Sequence, residues 1–396
     1  MNDLSAYIER PAQDANPIER ERPSRNRNKI VLTMYSLGLG GADRVACLLA
    51  NGFHKAGYDT YLLVWSGGDE GGDILRQLID KGVALVFLGE MSGSRTRDLI
   101  TSLPKAVAWI KTICPDYIVA TGNSMNWISA AIVKLTSLKT RLVMKTTNPI
   151  LRPEHGPIIR RLRTFGYGKA FAMADAVLTL TDAESAILAG QFPAAKHKFH
   201  KVINPYVTPE MIAPSAVMRV GENGKTILGI GRFVPQKRFD LLIRAFALLA
   251  DKSTRLVLLG DGPERAKYQA LVDMLGLGDR VAMPGFQSDV RPYLHDADLF
   301  VLSSRYEGLP AVVLEAMAAN CRIVSTRCFA GIEELLDSAG GCAIAENDSA
   351  DALAEAMSRV LEKSKADGLR EAAMRYSVDN GILSHLHMIA PDSAEQ

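Results

Sequence analysis

Short apolar runs rich in Val, Ile and Leu alternate with amphipathic stretches along most of this 396-residue chain. In the first half the runs are Ile30–Met34, Thr60–Trp65, Ala84–Leu88, Tyr117–Thr121, Arg141–Lys145, Ala176–Leu180 and Phe199–Ile203. Helical patterns fill most gaps, for example Asp43–His54, Asp73–Lys81, Ser124–Leu138 and Ile158–Met173. A strand buried on both faces has no polar side to show, so it reads as a continuous apolar run. Alternation of such strands with helices implies a parallel sheet wrapped by helices.

From Asn204-Pro205-Tyr206 to Gly224 the periodicity weakens and two further prolines enter, which reads as a linker. A second series follows, with strands at Thr226–Ile230, Arg255–Leu259, Arg280–Met283, Leu299–Leu302, Arg322–Thr326 and Cys342–Ile344. Helices are expected near Lys237–Ala250, Glu264–Leu275, Ala350–Lys363 and Gly368–Ile389. The expected fold class is α/β: two tandem Rossmann-like domains, 29–206 and 207–376, facing across a cleft at their strand ends. A length of 396 residues also favours more than one core. Residues 1–28 are rich in Arg, Glu, Asp, Asn and Pro, lack the apolar stretch of a secretory signal, and read as a disordered polar tail.

The net charge is only +2, so no global field draws nucleic acid, and any anion must be held by a local constellation. Five scattered cysteines without a C-x-x-C pair argue against a disulfide framework or a zinc site. Each reads as a free core cysteine in a reducing cytosol. No segment approaches the eighteen or so apolar residues of a spanning helix, so a cytoplasmic protein is expected. No H-E-x-x-H pattern occurs; His385 and His387, two apart on a helix, face different ways.

Several phosphate-loop readings fail on spacing. Ser36–Asp43 resembles a dinucleotide fingerprint but has Asp43 where the third glycine belongs, and the next strand ends in Trp65-Ser66-Gly67 without an acidic residue. Gly260-Asp261-Gly262-Pro263 reads as a strand-to-helix turn. Gly224-Lys225-Thr226 precedes its strand and has Arg219 where a Walker A glycine is needed. Asp296-Ala297-Asp298 suggests a divalent metal but also precedes its strand, the wrong edge of the sheet for a ligand. No metal site is expected.

One turn survives. Gly229–Arg238 lies between a strand and a helix, with Arg232 at the strand end and Lys237 at the helix start. A planar guanidinium and a mobile ammonium there can neutralise a diphosphate from two directions; a solvated basic turn is the competing reading. Further on, Glu307 and Glu315 bracket EGLPAVVLE after the run Leu299–Leu302. Pro310 is expected to open a helix running to Asn320, because its missing N–H would be unpaired there. The free amides of a helix start suit a phosphate. The two carboxylates can accept hydrogen bonds from hydroxyls on either side of it, as on a sugar joined by a diphosphate to a ribose. The competing reading makes Glu307 a turn residue and Glu315 a solvated helix residue.

Taken together, KIVLTMYSLGLGGADRV, VINPYV, ILGIGRFVPQKRFDLLIRAF, LVLLGDGP, VAMPGF and DADLFVLSSRYEGLPAVVLEAMAANCRIVSTRCFAGIEELL resemble the family 4 retaining glycosyltransferases of the GT-B fold. The resemblance runs from about Lys29 to Ile389. It implies that Glu307 lies against donor sugar hydroxyls, that Glu315 binds the ribose, and that Arg232 and Lys237 hold the diphosphate. Glu307, Arg232 and Lys237 are the catalytic candidates. Gly308, Leu309 and Pro310 complete the donor segment, Gly40 and Gly41 approach the phosphates from the other domain, and Gly285 and Phe286 lie near the base. Residues 377–396 are implied to be a C-terminal helix crossing back to the first domain. Two departures stand out: Ala319-Asn320-Cys321 replaces a family glycine, and Thr147 stands where many relatives carry histidine, with His155 nearby.

The implied reaction moves a sugar from a UDP- or GDP-sugar to a glycan or lipid-linked acceptor with retention, without a cofactor or metal, in cell-surface or exopolysaccharide synthesis. Two alternatives stay open: a non-catalytic nucleotide-sugar-binding subunit, and a GT-B nucleotide-sugar epimerase. Ile158–Phe165 (IIRRLRTF) is basic and amphipathic, and suits either a helix packed on the core or a peripheral contact with anionic lipid at the inner face of the membrane.

Overall fold

The computed structural model describes residues 27–390 apart from 39, 68–71, 90–91, 153, 214–223, 338–340 and 364–367. The expected polar tail, save its last two residues, and residues 214–223 of the expected linker lie outside the described residues.

The first unit carries strands β1 (Lys29–Met34), β2 (Asp59–Val64), β3 (Ala84–Phe87), β4 (Tyr117–Ala120), β5 (Arg141–Lys145), β6 (Ala176–Thr179) and β7 (Phe199–Lys201). They form a parallel sheet in the order β3-β2-β1-β4-β5-β6-β7. The second unit carries β8 (Thr226–Ile230), β9 (Arg255–Leu259), β10 (Val281–Gly285), β11 (Leu299–Leu302), β12 (Ile323–Ser325) and β13 (Ala343–Ile344). Their order, β10-β9-β8-β11-β12-β13, is also parallel throughout. Both sheets are therefore Rossmann-like, and each reverses its strand order beside its first strand, the place where such sheets bind ligands.

Burial explains the strand pattern. Ile30, Val31 and Leu32 of β1 and Leu299, Phe300 and Val301 of β11 are fully buried, as central strands covered on both faces must be. β10 is an edge strand, half exposed, and accommodates Pro284 beside a register shift between Ala282 and Gly285. Aromatic rings lock the helices to each sheet: Phe171 meets Phe192 and Phe199 edge-on in the first unit, and Phe233, Phe239 and Tyr268 do so in the second.

The compact units are the residues up to Pro205 together with those from Val378, and Tyr206–Ser377 between them. The expected helix Gly368–Ile389 is in fact two, Leu369–Met374 and Val378–Ile389. The break has a cause: the Tyr376 carbonyl accepts from the N–H groups of Tyr206 (3.1 Å) and Val207 (2.9 Å), and Val207 bridges Ser377. Those backbone groups are claimed by strand-like pairing. Val378–Ile389 then packs on the first unit so closely that a Cβ on Gly381 would stand 2.4 Å from the Pro205 backbone. Cys114 departs from the expected core cysteine; it is exposed, capping the helix Leu103–Ile113 in the left-handed region at φ 50°.

Candidate functional site

In the second unit the loops after β8, β9 and β10 form a stack. Gly231 N–H donates to the Leu259 carbonyl (2.9 Å), Gly260 N–H to that of Gly285 (2.9 Å), and Phe233 N–H to that of Asp261 (2.8 Å). A Cβ on Gly260, at φ +134°, would lie 2.0 Å from the Gly231 oxygen. Gly260-Asp261-Gly262 is thus a packing turn that braces the loop carrying Arg232 and Lys237.

Arg232 is exposed. Lys237 reaches Glu307, Nζ to Oε1 2.7 Å, in a partly buried ion pair whose side chains are 18% and 10% exposed. Two contacts fasten the loops behind this pair: Gln236 Nε2 donates to the Tyr306 carbonyl and Arg305 N–H to the Gln236 carbonyl, both at 2.8 Å. Glu307 N–H donates to the Cys328 carbonyl at 2.7 Å. Burial, then the Glu307 charge, pushes the Cys328 thiol up to about 12, so it stays protonated and unreactive. Lys237 does not begin a helix as expected. Phe239–Ala247 starts two residues later, behind Arg238 in the left-handed region (φ 49°), and Arg238 pairs with Asp348 at 3.0 Å.

Pro310 is not the first helical residue but the cap, with φ −72° and ψ 121°. Having no N–H, it gives up nothing at either place, and its carbonyl accepts from Val313 N–H at 3.1 Å. The helix Ala311–Ala318 stops short of Asn320, whose φ of 56° shows Asn taking the left-handed turn that ends it. Glu315, one turn inside, accepts from the Tyr206 hydroxyl at 2.7 Å. Leu309 and Pro310 are buried and Gly308 half-buried. Gly285 ends β10 at φ 89°, and the ring of Phe286 beside it is 54% exposed. Asp298 accepts from Thr226 N–H at 2.9 Å at the starting edge of the sheet, a structural task.

Gly40 and Gly41 belong to the first unit. Gly40 caps the helix Gly41–Lys55 with its carbonyl, which accepts from Asp43 and Arg44 N–H (3.1 Å each). Thr147 donates its N–H to Asn123 Oδ1 (3.2 Å) after β5. The half-buried His155 accepts at Nδ1 from Arg152 N–H (3.1 Å), and burial with the charges of Arg163 and Arg152 holds its pKa below the usual imidazole range.

One feature escaped the sequence. Lys145, at the end of β5, is buried and donates to Asn204 Oδ1 (2.7 Å) and His385 Nε2 (2.8 Å). His385 Nδ1 lies 2.7 Å from the Gly381 carbonyl, so it carries the proton and Nε2 accepts. Burial pushes Lys145 down to about 7 and His385 well below its ordinary range. The Asn in the hinge motif and the lysine ending an apolar run were the available signals. The basic helix packs on the core through its C-terminal half alone. Pro157–Met173 buries Gly166, Tyr167, Ala170 and Phe171, whereas Ile158 (76%), Ile159 (51%), Leu162 (66%) and Phe165 (68%) are exposed beside exposed Arg160 and Arg161.

Comparison with known proteins gives these sites a context. The family model described as glycosyl transferases group 1 matches residues 215–377, and the glycosyl transferase 4-like domain matches 40–201. The chain belongs to the group 1 glycosyltransferases, and its two parallel sheets are the GT-B fold. It is 27% identical over 316 residues to an uncharacterized glycosyltransferase of Haemophilus influenzae, covering 78% of this chain and 83% of that one. It is 25% identical over 342 residues (85% and 91%) to the N-acetylgalactosamine-N,N'-diacetylbacillosaminyl-diphospho-undecaprenol 4-alpha-N-acetylgalactosaminyltransferase of Campylobacter jejuni. Among solved structures, Anabaena HepE in complex with UDP and glucose superposes with a TM-score of 0.71 at 19% identity, covering 90% and 97% of the two chains.

Proposed function

We propose that the protein is a retaining glycosyltransferase that moves a sugar from a UDP- or GDP-sugar to the hydroxyl of a glycan or lipid-linked acceptor in cell-surface polysaccharide synthesis. The carrying observation is the Lys237–Glu307 pair, held at 2.7 Å on braced loops just ahead of the helix Ala311–Ala318. The UDP and glucose of the Anabaena complex and the lipid-diphosphate named for the Campylobacter relative support the substrate classes. Lys237, Arg232 and the first amides of that helix hold the diphosphate, Glu307 a donor sugar hydroxyl, and Glu315 the ribose. Gly285 and Phe286 flank the base. In the reaction the C1–O bond to the diphosphate breaks while the acceptor oxygen bonds C1 on the same face. The acceptor proton passes to the departing diphosphate oxygen. The cations stabilise the charge that grows there.

The helix Pro157–Met173 is the proposed membrane contact, at the cytoplasmic face. Its exposed Ile158, Ile159, Leu162 and Phe165 enter the lipid interface while Arg160 and Arg161 meet anionic headgroups. Among the described residues no helix is long and apolar enough to cross a membrane, so contact is peripheral on this reading. Co-sedimentation with phosphatidylglycerol vesicles should be lost on reversing Arg160, Arg161 and Arg163 to Glu; unchanged sedimentation refutes the contact. The transferase reading is tested by a thermal-shift screen of nucleoside diphosphate sugars, since a ligand at 100 times its Kd stabilises by about 2.7 kcal/mol. Incubation of the purified chain with the best binder should then release the nucleoside diphosphate. Binding without release would favour the non-catalytic subunit, for which Thr147 in place of histidine is the supporting observation.

A further inference from the structure

Tyr206 is the first residue of the second unit, and its ring is buried. Its own N–H and that of Val207 both donate to the Tyr376 carbonyl, and Val207 bridges Ser377, so the backbone under the ring is pinned. From that base the phenol reaches Glu315, O–H to Oε1 2.7 Å. Glu315 cannot drift with its helix either, because Val313, Leu314, Ala316 and Met317 are all buried. An O–H to carboxylate bond of this length is among the stronger kinds. It also removes rotamer freedom that a long glutamate side chain otherwise loses on binding a ligand.

We propose that Tyr206 is the positioning residue for Glu315, holding its carboxylate in the rotamer that reads the ribose hydroxyls of the donor and so setting the preference for ribonucleotides. The assignment rests on the reading of Glu315 given above. A carboxylate has about four acceptor sites, of which the phenol takes one. The ring spans the distance from the pinned backbone to the carboxylate, and its hydroxyl donates the bond.

The test is calorimetric. The full chain is titrated with UDP, GDP, ADP and CDP, and the nucleotide that binds is compared with its 2′,3′-dideoxy form. Wild type, Tyr206→Phe, Glu315→Gln and the double variant are measured in turn. Wild type should prefer the ribonucleotide by about tenfold or more, the loss expected for hydrogen bonds to a charged group. Tyr206→Phe should cut that preference by about three- to tenfold through weaker ribonucleotide binding alone. The double variant should be no worse than Glu315→Gln. Because both nucleotides report on the same folded fraction, the ratio remains readable even if the variant is less stable. An equal loss on both nucleotides makes Tyr206 merely structural, and no change makes it idle. Tighter ribonucleotide binding shows that the phenol competes with the ribose. Each of these overturns the proposal. Full preference retained in Glu315→Gln fails the ribose reading itself, and binding of none of the four nucleotides fails the site.

Discussion

The two sheets share a strand order yet treat a lysine near a strand end in opposite ways. In the second unit Lys237 stands on a loop with 18% of its side chain open and a carboxylate 2.7 Å away. In the first unit Lys145 is sealed beneath the helix Val378–Ile389 with two neutral acceptors, and burial pushes it down to about 7. Equal topology therefore does not confer equal chemistry. What decides is whether the lysine meets a counter-charge at a partly wet surface or a neutral amide and imidazole in the dry core. The first arrangement can receive an anion; the second fastens a terminal helix.

The sharpest way to break this contrast is to remove each lysine. Lys237→Ala and Arg232→Ala should each lower turnover by about 10²–10³, the effect of deleting one donor to developing charge. Arg232→Ala should melt close to wild type, since Arg232 is exposed, whereas Lys237→Ala removes the ion-pair partner of the buried Glu307 and should lower the melting temperature, so its turnover is read per folded protein. Lys145→Met should do the reverse. It strands Asn204 Oδ1 and His385 Nε2 and should cost about 1–3 kcal/mol in chemical denaturation, while folded enzyme keeps turnover within a few-fold of wild type. Wild-type turnover in both loop variants removes the diphosphate assignment.

A smaller effect separates the two units by their glycines. Gly260→Ala combines a left-handed φ of +134° with a Cβ 2.0 Å from the Gly231 oxygen, directly under the Arg232–Lys237 loop. Gly166→Ala drives a Cβ into the Trp127 ring in the first unit, far in sequence from any residue assigned to the donor. Each should destabilise by about 1–3 kcal/mol, read as a shift in denaturation midpoint. Only Gly260→Ala should also weaken nucleoside diphosphate binding in the folded protein. Equal affinity in the two variants would mean that the turn does not brace the site.

The sequence carried much of this picture, for physical reasons. Strands such as Arg141–Lys145 and Thr226–Ile230 begin and end where the apolar runs do, because both faces of a central strand are covered. Glu307, Pro310 and Glu315 were visible because their spacing is local. What stayed hidden depends on partners distant in the chain. Lys145 looks like an ordinary solvated lysine until His385, 240 residues later, covers it. Tyr206 lies 109 residues before Glu315, so no local pattern joins them. The Ile158–Phe165 stretch is apolar and basic at helical spacing, but periodicity alone does not say which stripe packs. Gly166, Tyr167 and Phe171 take the core, leaving Leu162 and Phe165 outside.

The smallest expected effect concerns pH and tests the claim that His385 stays uncharged in the first unit's buried cluster. His385 is buried and uncharged, held down first by burial and then by the charge of Lys145, whereas the unfolded chain takes up a proton near the ordinary value of 6.5. Below that value the unfolded state binds more protons than the folded one, so stability is lost as pH falls, by up to about 1.4 kcal/mol per pH unit for one group. Lys145, whose folded value of about 7 lies below its ordinary 10.5, gives the same sign in a higher window, between 10.5 and 7, and becomes flat beneath it. Glu184, raised by burial, works against both, because its folded form holds a proton that the unfolded carboxylate has released. Between pH 6.5 and 5 the melting temperature of wild type should therefore fall, and His385→Gln, whose amide oxygen can still accept from Lys145, should show a shallower slope. Parallel slopes would mean that the imidazole is already charged in the folded protein, and the contrast between a dry lysine and a wet one would lose its footing.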